Sequence, residues 1–353
     1  MNVFIINTPY HLLLSSQMKN YGDEIIVIND FNYDDSKFSS LLIESLFGKD
    51  RITIINGLRS YRKKVYKLKY ALARDKNRIK DVFRNKTINN IILFNDVYPM
   101  TQSIVSYLKY KGDVIVVEEG VGLYRDTIKR FNLLYTILGK CLFGSGYKNI
   151  NRIGEHPKTT VILSNYPNYL NEVQKNKIFE RLPSLDFSEI SKSLGVKKIS
   201  DANWFVAQPI VEDGILDLKT YLNLMELAIA LIQRDGKRII IKPHPREDIL
   251  KYKYLEDNYF VSVCEDKDIP IELLVDSDEE IDVFSPGSSA LLNISKLPNV
   301  QGYMIYDLFN VYSDLPVELI KSMNIRILKN WHDLESIYPD INKGGYHERK
   351  SFK

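Results

Sequence analysis

Short runs of aliphatic and β-branched residues recur along the chain, each closed by polar residues and separated by stretches of helical spacing. In the first half they are NVFIIN (2–7), EIIVIN (24–29), ITIIN (52–56), NIILFN (90–95) and DVIVVEE (113–119). Unbroken apolar runs, unlike alternating ones, suit strands covered on both faces, as in a parallel sheet. Helical patterns lie between them at 36–47, 59–82 and 101–111. A second series follows: TTVILSN (159–165), NWFVAQP (203–209), RIIIKP (238–243), YFVSVC (259–264), EIDVFSP (280–286) and GYMIYD (302–307). Helical stretches at 217–235, 269–276 and 288–296 separate most of these. The alternation predicts an α/β protein. Its two series predict two Rossmann-like domains with parallel sheets facing a central cleft. The expected boundaries are 1–155, an interdomain region 156–200, and 201–353.

Composition narrows this picture. A chain of 353 residues exceeds one ordinary core. With 44% hydrophobic and 26% charged residues it is globular. A net charge of +3 gives no reason to expect a nucleic-acid partner. Cys141 and Cys264 stand far apart without metal-ligand spacing, and read as buried thiols in a reducing compartment. No apolar run approaches the roughly 20 residues of a membrane span. The opening MNVFIINTPYHLLLSS lacks a basic n-region and is broken by Asn7, Thr8 and His11. It reads as a first strand and turn, not a signal peptide. The expected location is cytoplasmic, with the inner face of the membrane as a peripheral option.

Ligands of open α/β sheets bind outside the carboxyl ends of the strands, so the residues that end each run are the candidates. The first run ends in Asn7-Thr8, which suit either a backbone-lined substrate loop or a helix N-cap. The run 113–119 ends in Glu118-Glu119-Gly120. Adjacent carboxylates raise the pKa of one of them, which suits a general base. A second acidic triplet, Glu212-Asp213-Gly214, follows the run 203–209, and Asp213 is placed to cap the next helix. The run 238–243 ends in Lys242-Pro243-His244-Pro245-Arg246, a stiff segment in which prolines fix φ and remove donors. A rigid histidine flanked by cations can donate to a phosphate. Ser285-Pro286-Gly287-Ser288-Ser289 opens a helix, where hydroxyls and backbone amides suit an anion. Glu272, in IPIELL, is either ordinary helix grammar or an acceptor for ribose hydroxyls. His156-Pro157 reads as linker, and Asp34-Asp35 does not read as a metal motif.

In this order, the residues Glu118-Glu119-Gly120, His244-Pro245 and Ser288-Ser289 resemble the bacterial sialyltransferases of the GT-B fold. NTPYHLLLS, AQPIVEDG and IPIELL look most like glycosyltransferase family 52, which includes lipooligosaccharide and capsule sialyltransferases. The resemblance spans residues 3 to about 296. It implies an inverting, metal-independent transfer of sialic acid from CMP-sialic acid to a hydroxyl, expected on galactose, of a cell-surface glycan, with no cofactor. Glu118 would then be the general base, with Glu119 beside it and Asp213 in reserve. His244 would meet the CMP phosphate, Ser288 and Ser289 would hold it, and Glu272 would bind the ribose. Asn7, Thr8, Lys242, Pro245, Ser285 and Gly287 complete the donor-binding set. The C-terminal domain would carry the nucleotide and the N-terminal domain the acceptor.

The stretch 59–80 carries ten Lys or Arg against one Asp. It suits an anionic lipid surface, a polyanionic glycan or simply a solvated helix face. The apolar segment 130–144 suits a lipid-linked acceptor, internal packing or a homodimer interface, with packing favoured. Two other functions stay open. One is a CDP-glycerol-type phosphotransferase of wall polymer synthesis. The other is a non-catalytic peripheral membrane protein, which leaves the strand-end polar residues unexplained.

Overall fold

A computed structural model describes residues 1–29, 40, 42, 48–58, 65–125, 133–183, 187–276, 278–311 and 316–339. The apolar runs form two parallel sheets. The first contains β1 (Val3–Ile6), β2 (Glu24–Asn29), β3 (Ile52–Asn56), β4 (Ile91–Leu93), β5 (Val114–Val117), β6 (Val161–Leu163) and β7 (Ile178–Glu180). Their order is β3-β2-β1-β4-β5-β6-β7. The second contains β8 (Ala202–Val206), β9 (Arg238–Lys242), β10 (Val261–Val263), β11 (Ile281–Ser285), β12 (Val300–Met304) and β13 (Ile325–Ile327). Their order is β10-β9-β8-β11-β12-β13. Each sheet therefore reverses direction once, between β1 and β4 and between β8 and β11. Those reversals are the topological switch points at which doubly wound sheets bind ligands.

Burial explains the unbroken apolar runs. Val3, Phe4, Ile5 and Ile6 are all inaccessible to solvent, because helices cover both faces of a central parallel strand. In the second unit the helix Leu218–Ile232 buries Tyr221, Met225, Ala228, Ile229 and Ile232 at helical spacing. Each such aliphatic side chain contributes about 1.5–3 kcal/mol on burial.

The chain divides into one unit of Met1–Lys198, Asp268–Leu274 and Asp314–Leu319, and a second of Ile199–Lys267, Val275–Ser313 and Ile320–Lys353. Several sequence expectations change here. Residues 156–200 are not a linker: β6 and β7 extend the first sheet, so the run 159–165 belongs to the first series. His156 is buried in that unit, its backbone N–H donating to Asp96 Oδ2 at 3.1 Å. The stretch 269–276 holds only a single turn, Ile271–Leu273, and its Leu273 sits in the core of the first unit. Neither thiol is fully buried: Cys141 is exposed on the helix Leu133–Phe143, and Cys264 is half-buried. Both are free. Asp34 and Asp35 lie outside the described residues, as do residues 59–64 of the basic stretch.

The rest of that stretch forms the helix Val65–Phe83. Ala71, Leu72, Asp75, Ile79 and Phe83 face inward, while Lys67, Lys69, Arg74, Arg78 and Lys80 are exposed. These cations thus lie on the solvated face of an amphipathic helix. No helix among the described residues is long and apolar enough to cross a membrane.

Candidate active site

In the first unit the candidates gather at the switch point. Thr8 is the N-cap of the helix Pro9–Met18, its Oγ1 accepting the His11 N–H at 3.1 Å, and Pro9 occupies the first turn where no donor is needed. This cap brings His11 back over the end of β1. There the Asn7 N–H donates to His11 Nδ1 at 3.1 Å. An imidazole nitrogen that accepts cannot carry the proton, so Nε2 carries it. His11 Nε2 in turn donates to Glu119 Oε2. The ring stacks on Phe94 at the end of β4, centroids 4.5 Å apart. His11 is thus fixed by its backbone, its ring face and its tautomer.

The two acids after β5 have opposite environments. Successive residues of an extended segment point to opposite sides, and Gly120, at φ 146°, lets the chain turn directly afterwards. Glu118 is buried. Its Oε2 accepts the Tyr124 hydroxyl at 2.5 Å and the Asn165 N–H at 2.6 Å, and its Oε1 faces Asn165 Nδ2 at 3.4 Å. Tyr124 also bonds Ser164 Oγ at 2.7 Å, so Glu118 staples the end of β6 to the turn after β5. Burial, then the Glu118 charge, pushes the Tyr124 phenol well above its ordinary range. Glu119 keeps 24% of its side chain exposed and is held by His11. Burial and the charges of Glu272, Glu118 and Glu119 together keep Tyr10 protonated by raising its pKa. Glu272 therefore belongs beside the acidic pair in the first unit, whereas the sequence grouped it with the second domain. The Asn7 amide is buried with no hydrogen-bond partner for either polar atom among the described residues.

In the second unit the turn after β9 is organised by a residue the sequence reading passed over, Glu247. This carboxylate is buried, accepting the His244 N–H at 2.5 Å, the Tyr252 hydroxyl at 2.7 Å and Lys251 Nζ at 2.7 Å. The Arg246 N–H donates to His244 Nδ1 at 3.1 Å, which leaves the ring proton on Nε2. His244 itself is half-buried. Lys242 is buried and donates to the Lys267 carbonyl at 2.6 Å, tying the end of β9 to the loop after β10. The signal for Glu247 was present, since an acid three residues after His244 repeats the spacing of a capping box. Replacing Glu247 by Gln puts an amide donor against donors. The expected cost is about 1–3 kcal/mol of unfolding free energy, measurable by chemical denaturation.

Asp213 does not cap the next helix. Asp217 does, accepting the Thr220 N–H at 2.9 Å. Asp213 instead forms a bidentate pair with Arg246, at 2.6 and 2.9 Å, and this bonding pushes the Arg246 pKa up. Glu212 pairs with Lys251 at 2.9 Å.

The serine cluster after β11 is also divided in role. Ser285 Oγ donates to the Val206 carbonyl at 2.8 Å and accepts the N–H groups of Gly287 at 3.2 Å and Ser288 at 2.9 Å. Those two amides are therefore not available to an anion. Gly287, at φ 151°, makes the turn possible. Ser288 caps the helix Ser289–Ile294 by accepting the Ala290 N–H at 3.2 Å. Ser289 is exposed at the first helical position.

Two doubly wound sheets, each with polar side chains at its switch point, define a GT-B-type glycosyltransferase architecture. Two solved structures agree on the fold. The UDP-GlcNAc 2-epimerase of Methanocaldococcus jannaschii aligns at TM-score 0.51 and 12% identity, over 98% of this chain and 94% of that one. Os79 from O. sativa, solved with UDP and deoxynivalenol-3-glucoside, aligns at TM-score 0.50 and 11% identity, over 97% and 91%. An alpha/beta-galactoside alpha-2,3-sialyltransferase from Photobacterium phosphoreum gives TM-score 0.49 at 11% identity, over 97% and 95%. No curated protein matches the chain by sequence. The profile of the alpha-2,8-polysialyltransferase (POLYST) family matches residues 2–306, and the chain belongs to that family. It is accordingly a glycosyltransferase that uses CMP-sialic acid. The sialyltransferase resemblance holds at that level, and the family whose profile matches is the polysialyltransferase one.

Proposed function

We propose that the protein catalyses inverting, metal-independent transfer of sialic acid from CMP-sialic acid to a hydroxyl of a glycan that itself ends in sialic acid. Family membership supports the donor and the type of acceptor. This acceptor replaces the galactose expected from the sequence. The observation that carries the mechanism is the contrast between the two acids after β5. Glu118 is buried and saturated by donors, while Glu119 is partly exposed and aligned by a neutral histidine. Glu119, not Glu118, is therefore our general base. It takes the proton of the acceptor hydroxyl as that oxygen attacks the anomeric carbon of the donor. The His11 N–H bond to one carboxylate oxygen leaves the other lone pairs for the acceptor.

The bond from the anomeric carbon to the CMP phosphate breaks as the new bond forms, and its electron pair leaves on the phosphate. In the second unit, His244 Nε2–H and the Ser289 hydroxyl are the donors we assign to that charge, with Pro245 stiffening the loop. Preorganised donors of this kind stabilise developing charge without reorganising. Lys242, Ser285, Gly287 and Ser288 build the loops that carry them, and Asn7 and Thr8 do the same for His11. Glu272 is assigned with the acidic pair and Tyr10, not to the ribose.

Asp213 is not the base in this reading, because its two oxygens are engaged by Arg246. Asp213→Asn is expected to keep transfer within about threefold of wild type, since an exposed ion pair of this kind contributes about 0–1 kcal/mol. An initial-rate assay with CMP-sialic acid and an oligosialic acceptor measures this. A loss comparable to that of a catalytic variant would return Asp213 to the reaction. Contact with a polyanionic glycan or an anionic bilayer is assigned to the exposed cations of the helix Val65–Phe83, in keeping with a lipid-linked acceptor at the inner face of the membrane.

A further inference from the structure

At the end of β4 lies a cavity of about 350 Å³ that no step above uses. Its polar lining is Asn95, Tyr98, Tyr147, Lys148 and Asn149. Two chain segments form it, 95–99 and 147–150, and one buried side chain ties them together. Gln102 Nε2 donates to the Asp96 carbonyl at 2.8 Å and to the Lys148 carbonyl at 3.0 Å, while its Oε1 accepts the Lys148 N–H at 2.8 Å. Asn95 Oδ1 accepts the N–H groups of Val97 at 3.0 Å and Tyr98 at 3.1 Å, which shapes the first wall. Asp96 adds the outer brace. Its carboxylate accepts from Gly154 N at 2.7 Å, His156 N at 3.1 Å and Thr159 Oγ1 at 2.7 Å. The cavity is thus a built site with fixed walls, which is what preorganised recognition requires.

Resting on the proposed function, we infer that this cavity is a subsite for a carboxylate-bearing sugar ring of the acceptor glycan. The lining matches such a ring group by group. Tyrosines offer an apolar face and a polar tip, which suit the C–H face and the hydroxyls of a sugar. The Asn149 amide can both donate and accept, as sugar hydroxyls do, while Asn95, whose Oδ1 is engaged, offers its amide donors. Lys148 is exposed, and the helix Pro99–Tyr107 starts at the cavity with its positive end. Both favour an acidic sugar over a neutral one, and the nearest buried acid, Asp96, is taken up by its own donors. Position supports the assignment as well. Asn95 directly follows Phe94, on which His11 stacks, and His11 holds Glu119.

The test compares Lys148→Glu and Asn149→Ala with wild type, using full-length protein at fixed CMP-sialic acid. Oligosialic acid and a neutral galactoside serve as the two acceptors. The Lys148 side chain is exposed and Asn149 is partly exposed, so both variants are expected to melt with the wild type. Loss of one charge-assisted contact corresponds to about tenfold in affinity. The KM for oligosialic acid should therefore rise about tenfold in Lys148→Glu. Its kcat, the KM for the neutral acceptor and CMP release without acceptor should stay unchanged. A KM for oligosialic acid within twofold of wild type in both variants overturns the subsite. An equal rise for both acceptors overturns its acidic specificity. If wild-type protein releases no CMP from the donor, the functional reading fails separately. Calorimetric titration of oligosialic acid into wild type and Lys148→Glu then still decides the cavity.

Discussion

Glu119→Gln is expected to lower the rate of sialyl transfer by about 10²–10⁴-fold, the range of a lost general base. Its melting temperature should barely change, because the side chain is partly exposed and an amide still accepts from His11 Nε2. Glu118→Gln is expected to behave in the opposite sense. Glu118 accepts from Tyr124 and from both the backbone and the side chain of Asn165. An amide there sets one donor against others in a buried place, at a cost of about 1–3 kcal/mol in stability. Some activity should survive in whatever fraction stays folded. Rates and thermal melts of the two variants, measured together, separate the roles. A stable, inactive Glu118→Gln beside an active Glu119→Gln would reverse the assignment.

His244→Ala is expected to lower turnover by about 10²–10³-fold, the usual loss when one preorganised donor to a developing charge is removed. Alanine removes the ring acceptor of the Arg246 N–H but keeps the Glu247 bond to the His244 backbone, so the loop should survive. His244→Gln tests the role of the ring more closely. The Gln amide nitrogen reaches about where Nε2 stands and can donate without titrating. It should recover a measurable part of the loss, and a variant no better than alanine would place His244 outside the transfer step. Single-turnover measurement of CMP release is the suitable readout, because it isolates departure of the nucleotide.

Most of the fold was legible because a parallel sheet covered on both faces writes each strand as an unbroken apolar run. Every run named in the sequence overlaps a strand, although the bounds differ at several ends. What the pattern does not carry is membership. TTVILSN looks the same whether it starts a second sheet or extends the first, and its partner β5 is far away in the chain. The two edge strands β7 and β13 escaped because they are three residues long, and β7 is exposed at every position. The short turn at Ile271–Leu273 failed for a related reason: IPIELL has helical spacing, but residues 268–274 belong to the first unit and Leu273 is buried in that unit's core.

The site was legible as residue types at strand ends and not as roles. Glu118 and Glu119 are adjacent and chemically alike. Which one is buried depends on Tyr124 and on Asn165, 47 residues downstream of Glu118. His11 read as an interruption of an apolar opening, because its partner lies 108 residues away. Asp213 and Asp217 are both plausible caps in EDGILDLKT. Arg246, 33 residues further on, removes Asp213 from that choice. Ser285 looked like one of several phosphate ligands, yet its position at the end of β11 commits it to holding the turn.

A donor panel tests the central claim most directly. Purified protein is incubated with CMP-sialic acid, CDP-glycerol or UDP-sugars, each with oligosialic acid as acceptor and EDTA present. Nucleotide release and acceptor length are followed together. The account predicts that CMP-sialic acid alone is consumed, with one added sialic acid per CMP released and no effect of EDTA. Consumption of CDP-glycerol in its place, or CMP release that requires added metal, would contradict it.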